Sequence, residues 1–153
     1  MYKGLLEVFE ATWLFNKLGK QDVTTTPRWI SEKDVHKQVQ LIKEEVEEIE
    51  QAFRDKDMIE VVDGIVDTLY VLSGLVNRFG VQEEVSKAFE VIHHNNMSKL
   101  RDEKGNDISV LKEMVDSEGR KYTKIGKPEG YKPVNLRKFF PYLDLLEQED
   151  EEK

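Results

Sequence analysis

Cysteine is absent from all 153 residues. That excludes thiol nucleophiles, zinc-thiolate sites and a disulfide framework, and it is compatible with a reducing compartment. Histidine is scarce, with three in the chain. Positive charge is in deficit: 23 Lys and Arg against 31 Asp and Glu give a formal net charge of −8. A surface of that sign repels polyanions, so nucleic acid is not an expected partner. No stretch approaches the roughly 18 apolar residues of a membrane span, and the N-terminus lacks the basic start and apolar run of a signal peptide. A cytoplasmic protein with no membrane partner is expected.

What is present suits one globular domain, with 39% hydrophobic residues to bury and 35% charged residues to solvate. Leu5, Leu6, Val8, Phe9, Trp13, Leu14 and Leu18 recur at helical spacing, so a first helix is expected over 2–18, capped by Gly19. Ser31 with Asp34 three residues on opens a second, long helix to about Arg54. A third runs from about Met58 to Phe79 and stops at Gly80. A fourth extends from about Gln82 to His94, with Asn95 and Asn96 as its stop signal. Beyond Leu100 the turn signals Glu103–Asn106 and Asp116–Gly119 suggest a loop-rich segment holding a small hairpin. The expected organisation is a helical core over 1–100, a loop-rich segment of the same domain over 101–146, and a disordered acidic tail over 147–153.

The second and third helices carry the chemistry. At about 100° per residue, Val39, Ile42, Val46, Ile49 and Phe53 form an apolar stripe on the second helix. Glu45 falls inside its extended arc, Glu48 at the edge, and Glu44 one step further out. Taken alone, this Glu-rich segment reads as an ordinary solvated helix face. The third helix alters the balance. Between Met58 and Asn77 its only charged residues are Glu60, Asp63 and Asp67, and they share one strip with Tyr70 and Gly74. A helix otherwise so apolar is expected to be buried, and buried carboxylates need a cationic counterpart. No basic residue of the third helix can supply it. Hard oxygen ligands without thiols favour Mg²⁺, with Mn²⁺ as the alternative. Four helices also leave so apolar a third helix hard to cover from one chain, which suggests self-association.

Glu45-Val46-Glu47-Glu48 followed by Glu60-Val61-Val62-Asp63 resembles the ExxE…ExxD signature of the all-α nucleoside triphosphate pyrophosphatases. This MazG-like superfamily includes dimeric dUTPases and phosphoribosyl-ATP pyrophosphohydrolases. Asp67-Thr68-Leu69-Tyr70-Val71-Leu72-Ser73-Gly74 is similar to the continuation of its metal helix. Asn96-Met97-Ser98-Lys99 is similar to the segment after its next helix, and Gly130-Tyr131-Lys132-Pro133 to its tail.

The resemblance implies an all-α fold, a bundle of four to five helices assembled as a homodimer or homotetramer. It implies hydrolysis of a nucleoside triphosphate such as dUTP or dCTP to monophosphate and pyrophosphate, in control of the nucleotide pool. Glu45, Glu48, Glu60 and Asp63 would hold Mg²⁺, with Asp67 either a further ligand or a group steering Glu60 and Asp63. Glu44 would orient or deprotonate the attacking water. Asn96 and Lys99 are candidate phosphate or sugar contacts. Tyr70, Trp13 and Phe9 are candidates for base stacking, with core packing the expected role of at least two of them. His93 and His94 read as structural side chains at a helix end. The competing class is a non-enzymatic helical interaction or metal-sensing module, for which charges on the third helix have no use.

Overall fold

The computed structural model describes residues 4–146; the expected acidic tail over 147–153 and the first residues of the expected first helix lie outside them. Four α-helices dominate: α1 (Leu5–Leu18), α2 (Glu32–Asp55), α3 (Met58–Phe79) and α4 (Gln82–Met97). A hairpin of β1 (Leu111–Val115) and β2 (Lys121–Ile125) and two short 3-10 turns complete the described chain. Packing groups it into two compact units, residues 4–86 with 140–146, and residues 87–139. The turn-rich segment over 101–146 is thus divided between them.

In the first unit, α1 and α2 both pack on α3. Each helix starts and stops on chemistry visible in the sequence. Ser31 caps α2, its Oγ accepting from Asp34 N at 3.1 Å and donating to Asp34 Oδ2 at 2.7 Å. Asp57 caps α3, its Oδ1 accepting from Ile59 N and Glu60 N at 3.0 and 3.2 Å. Only Lys56 and Asp57 separate α2 from α3, so the two helices form an antiparallel hairpin, turned by Lys56 in a left-handed conformation at φ 61°. At Gly80 (φ +69°) the strict need for glycine is steric as well as conformational. A Cβ there would lie 2.2 Å from the carbonyl oxygen of Thr26. Gly19 ends α1 as expected, donating its N–H to Phe15 O at 2.9 Å, while the left-handed turn falls on Lys20 at φ 57°.

The core of this unit combines Phe9, Val23, Ala52, Val76 and Phe140 with a buried polar centre. Asn77, with no exposed surface, donates through Nδ2 to Phe9 O at 3.1 Å and to Thr12 Oγ1 at 3.0 Å. Its Oδ1 accepts from Gln82 Nε2 at 2.9 Å, and Gln82 also donates to Thr24 O at 2.8 Å. Nearby, Arg78 reaches Asp34 at 3.3 Å and Gln21 at 2.7 Å.

Two expectations fail here. The third helix is not enclosed: Met58, Ile59, Val62, Ile65, Val66, Leu69 and Leu72 are exposed in the single chain, Ile59 by 79%. What it does bury is Gly64 and, in its last turns, Ser73, Gly74, Val76, Asn77 and Arg78. Two neighbouring helices cover only part of a cylinder that is apolar around most of its circumference, and the covering is fullest over its last two turns. The fourth helix also continues through Asn95 and Asn96 to Met97. Asn95 spends its amide on tertiary contacts, accepting from Tyr131 Oη and donating to Lys132 O at 3.0 Å, so it does not turn the chain.

In the second unit, β1 and β2 pair antiparallel from Leu111↔Ile125 to Val115↔Lys121, around the expected turn at Asp116–Gly119. Asp116 Oδ1 accepts from the N–H groups of Glu118 and Arg120, which fixes that turn. Among the described residues, no helix is long and apolar enough to cross a membrane.

Candidate active site

The helical hairpin α2–α3 brings the expected carboxylates together. Because the helices run antiparallel from a two-residue corner, Glu48 on α2 comes level with the first turns of α3. Glu48, Glu60 and Asp63 line one open cavity of about 240 Å³ together with Gln51, Asp55 and Asp57. Beside it, the Glu45 carboxyl is held above its ordinary value of 4.5, first by burial and then by the negative charges of Glu48, Asp67, Glu44 and Asp63. Glu45 therefore sits at the junction between both helices' acidic groups. The close approach is set by Gly64, next to Asp63, since a Cβ there would come 2.8 Å from Ile49 Cγ1.

None of Glu45, Glu48, Glu60, Asp63 and Asp67 forms an ion pair with a basic residue among the described residues. The nearest guanidinium in sequence, Arg54, turns instead to Glu50 at 3.7 Å and Gln51 at 2.9 Å. No three His, Asp or Glu side chains among the described residues are arranged as a group that could hold a metal ion. The donor set itself, hard carboxylate oxygens with no thiol or imidazole and, among the described residues, no basic ion-pair partner, fits a divalent cation such as Mg²⁺.

Asp55 and Asp57 were not foreseen as part of this cavity. Asp57 is recognisable in the sequence as an N-cap before an apolar helix, and that hydrogen bonding occupies its Oδ1. Glu44 is exposed on α2 beside the cluster and contributes to the rise at Glu45. Among the candidate stacking residues, Phe9 is core. Trp13 is half-buried, with Lys17 Nζ 5.8 Å from its ring centroid. Tyr70 packs edge-to-face on Phe15 with centroids 5.3 Å apart and faces a cavity. Asn96 and Lys99 belong to the second unit. There Lys99 Nζ donates to Asn96 Oδ1 at 2.6 Å and lies 5.1 Å from the centre of the Tyr131 ring. His93 stacks on Phe89 with centroids 6.4 Å apart.

Residues 14–96 match the phosphoribosyl-ATP pyrophosphohydrolase family. The chain belongs to that family. No individual curated protein matches it. The phosphoribosyl-ATP pyrophosphohydrolase match runs from the second half of α1 into the last turn of α4, and so takes in Glu44, all five clustered carboxylates, Tyr70 and Asn96. It leaves Lys99 and the β1–β2 hairpin outside. Membership makes this a MazG-like all-α fold and a pyrophosphohydrolase, a hydrolase of acid anhydrides acting on nucleotide triphosphate-like substrates.

Proposed function

We propose that the protein hydrolyses the α,β-anhydride of a nucleoside triphosphate, consuming one water and yielding a nucleoside monophosphate and pyrophosphate. The observation that carries this reading is the convergence of Glu45, Glu48, Glu60, Asp63 and Asp67 on one helical hairpin with no ion pair to a basic residue among the described residues, inside the matched segment. A triphosphate cannot enter such a surface as a bare polyanion. Glu45, Glu48, Glu60 and Asp63 would hold Mg²⁺, or Mn²⁺ in its place, with Asp67 as a further ligand or as the group that orients Glu60 and Asp63. When bound, the ion screens the substrate's charge and stabilises the charge that develops on the transferring phosphoryl group.

Glu44 lies one turn before Glu48 on the same helix and more exposed than Glu45, where water reaches it. Its carboxylate accepts the proton of the attacking water. A deoxynucleotide such as dUTP or dCTP is the proposed substrate, in cytoplasmic control of the nucleotide pool. Phosphate analysis of a nucleoside triphosphate panel tests the reaction. Pyrophosphate release that requires Mg²⁺ or Mn²⁺ is expected, and full activity in excess chelator or orthophosphate as the sole inorganic product overturns it. Glu44→Gln should lower kcat by about 10² to 10⁴ with metal affinity little changed. Glu45→Gln should lose metal affinity first, so that raised Mg²⁺ restores part of the rate. Equal loss of metal affinity in both variants would place Glu44 among the ligands.

The exposed apolar face of α3 supports a homo-oligomer, because a row from Met58 to Leu72 is too long for a monomer's surface. Ile65→Lys is expected to shift the assembled species to monomer in sedimentation velocity. An unchanged sedimentation coefficient means that this face is not the interface.

A further inference from the structure

A second cavity lies in the same unit, among α1, α2 and α3. Its volume is about 350 Å³, and Phe15, Asn16, Lys37, Gln38, Tyr70 and Gly74 are among the residues around it. That volume is within the range of small-molecule sites. Its chemistry differs from that of the acidic cavity. One wall is the edge-to-face pair of Tyr70 and Phe15. The polar groups are chiefly carboxamides, and the guanidinium that borders it, Arg78, is already engaged by Asp34 and Gln21.

Gln38 is the informative residue. It is only 5% exposed, and its Nε2 donates to Val71 O at 2.6 Å. That bond fixes the amide's orientation, so the carbonyl oxygen is the group Gln38 offers to a ligand. Reversing the amide would set oxygen against oxygen at Val71. Gly74 makes the space: a Cβ there would be 3.0 Å from Gln38 Nε2 and 3.7 Å from Asn16 Nδ2.

The position is as telling as the lining. Gln38 precedes Glu45 by seven residues on α2, and Gly74 follows Asp67 by seven on α3. In antiparallel helices both offsets run the same way along the groove, so Gln38 and Gly74 lie about 10 Å along it from Glu45 and Asp67, the near end of the acidic cluster, at 1.5 Å of rise per residue. That is the reach from a nucleobase to the inner phosphates of its own nucleotide.

We infer that this cavity seats the nucleobase, and that Gln38 Oε1 selects a base presenting an N–H donor there, with Asn16 as the second polar contact and Tyr70 as the apolar wall. The inference rests on the nucleotide reading above but concerns base recognition, which can be tested without phosphate, metal or turnover.

Free nucleosides are titrated into the metal-free wild-type protein and followed by the NMR shifts of resonances from α1–α3. At least one nucleoside should bind, and its analogue methylated on the donor nitrogen should bind about tenfold more weakly, the equivalent of one hydrogen bond. Gly74→Leu, which fills the cavity, should abolish binding, and Gln38→Ala should weaken it about tenfold. The methylated ligand keeps the test valid if either variant misfolds. Absence of binding by every nucleoside at millimolar concentration, or equal binding of the methylated analogue, overturns the inference. Nucleoside binding by a protein that releases no pyrophosphate would sustain the cavity's assignment and refute the catalytic reading alone.

Discussion

Asn77→Leu tests whether the buried polar centre holds the helices that carry the site. The substitution keeps the side chain's branched heavy-atom shape, removes its polarity and adds methyl bulk, so little of the effect comes from a cavity. Three hydrogen bonds are lost: those of Nδ2 to Phe9 O and Thr12 Oγ1, and that of Oδ1 from Gln82 Nε2. No partner is stripped bare. Thr12 Oγ1 still donates toward Val8 O and Phe9 O at 3.1 Å, and Gln82 Nε2 still donates to Thr24 O. The orphaned-group penalty is therefore largely avoided, and the net worth of each bond, about 1 kcal/mol, sets the scale. The expected loss is about 3 kcal/mol, read as a shift in the urea midpoint at unchanged slope. At about 2–4 °C per kcal/mol for a chain of this size, the melting temperature should fall by roughly 6–12 °C. Thr12→Val removes one of the same bonds, so the double variant should lose about 1 kcal/mol less than the sum of the single losses. A loss below about 1 kcal/mol for Asn77→Leu, or strict additivity with Thr12→Val, would show that the network does not tie α1 to α3.

Three further outcomes follow from the same geometry. Glu45 has a raised pKa in the fold, through burial first and neighbouring carboxylates second. The folded state therefore holds its proton more tightly than the unfolded state, and stability falls as pH rises from about the ordinary 4.5 through the raised value. Metal-free Glu45→Gln should escape that loss and be more stable than wild type at pH 7 but not at pH 4 in urea titrations; equal stability at pH 7 would deny the repulsion. Tyr142 donates to Glu84 at 2.5 Å, and that bond, with partial burial, pushes its phenol up to about 12. In the difference between the ultraviolet titrations of wild type and Tyr142→Phe, which isolates this phenol, ionisation should be missing below about pH 11 and appear only above it, whereas ionisation near pH 10 would mean the bond does not persist. Gly80→Ala should destabilise by more than about 2 kcal/mol in chemical denaturation, because an L-residue there meets both the left-handed strain and the Thr26 carbonyl; a cost under about 1 kcal/mol, the left-handed term alone, would mean that the Thr24–Arg28 segment moves aside.

The sequence by itself determined the helices, their caps and the acidic pattern, since these depend on residues within a few positions of one another. Ser31 before Glu32, Asp57 before Met58 and Gly80 after Phe79 act through their own neighbours' N–H and C=O groups, and the turn at Asp116–Gly119 does likewise. The ExxE and ExxD spacings follow from helical geometry alone. What only the tertiary structure decided is which face of each helix meets which neighbour. Periodicity marked α3 as apolar but could not say that its burial falls on Gly64 and on the turns from Ser73 to Arg78 and leaves Ile59, Val62 and Leu69 bare. Asn95 carries the local signal of a helix stop, yet its amide is claimed by Tyr131 and Lys132, 36 and 37 residues away. Gln38 reads in sequence as one polar residue near the start of a long charged helix. Its fixed acceptor exists only because α3 sets the Val71 carbonyl against its amide and places a residue without a side chain, Gly74, beside it.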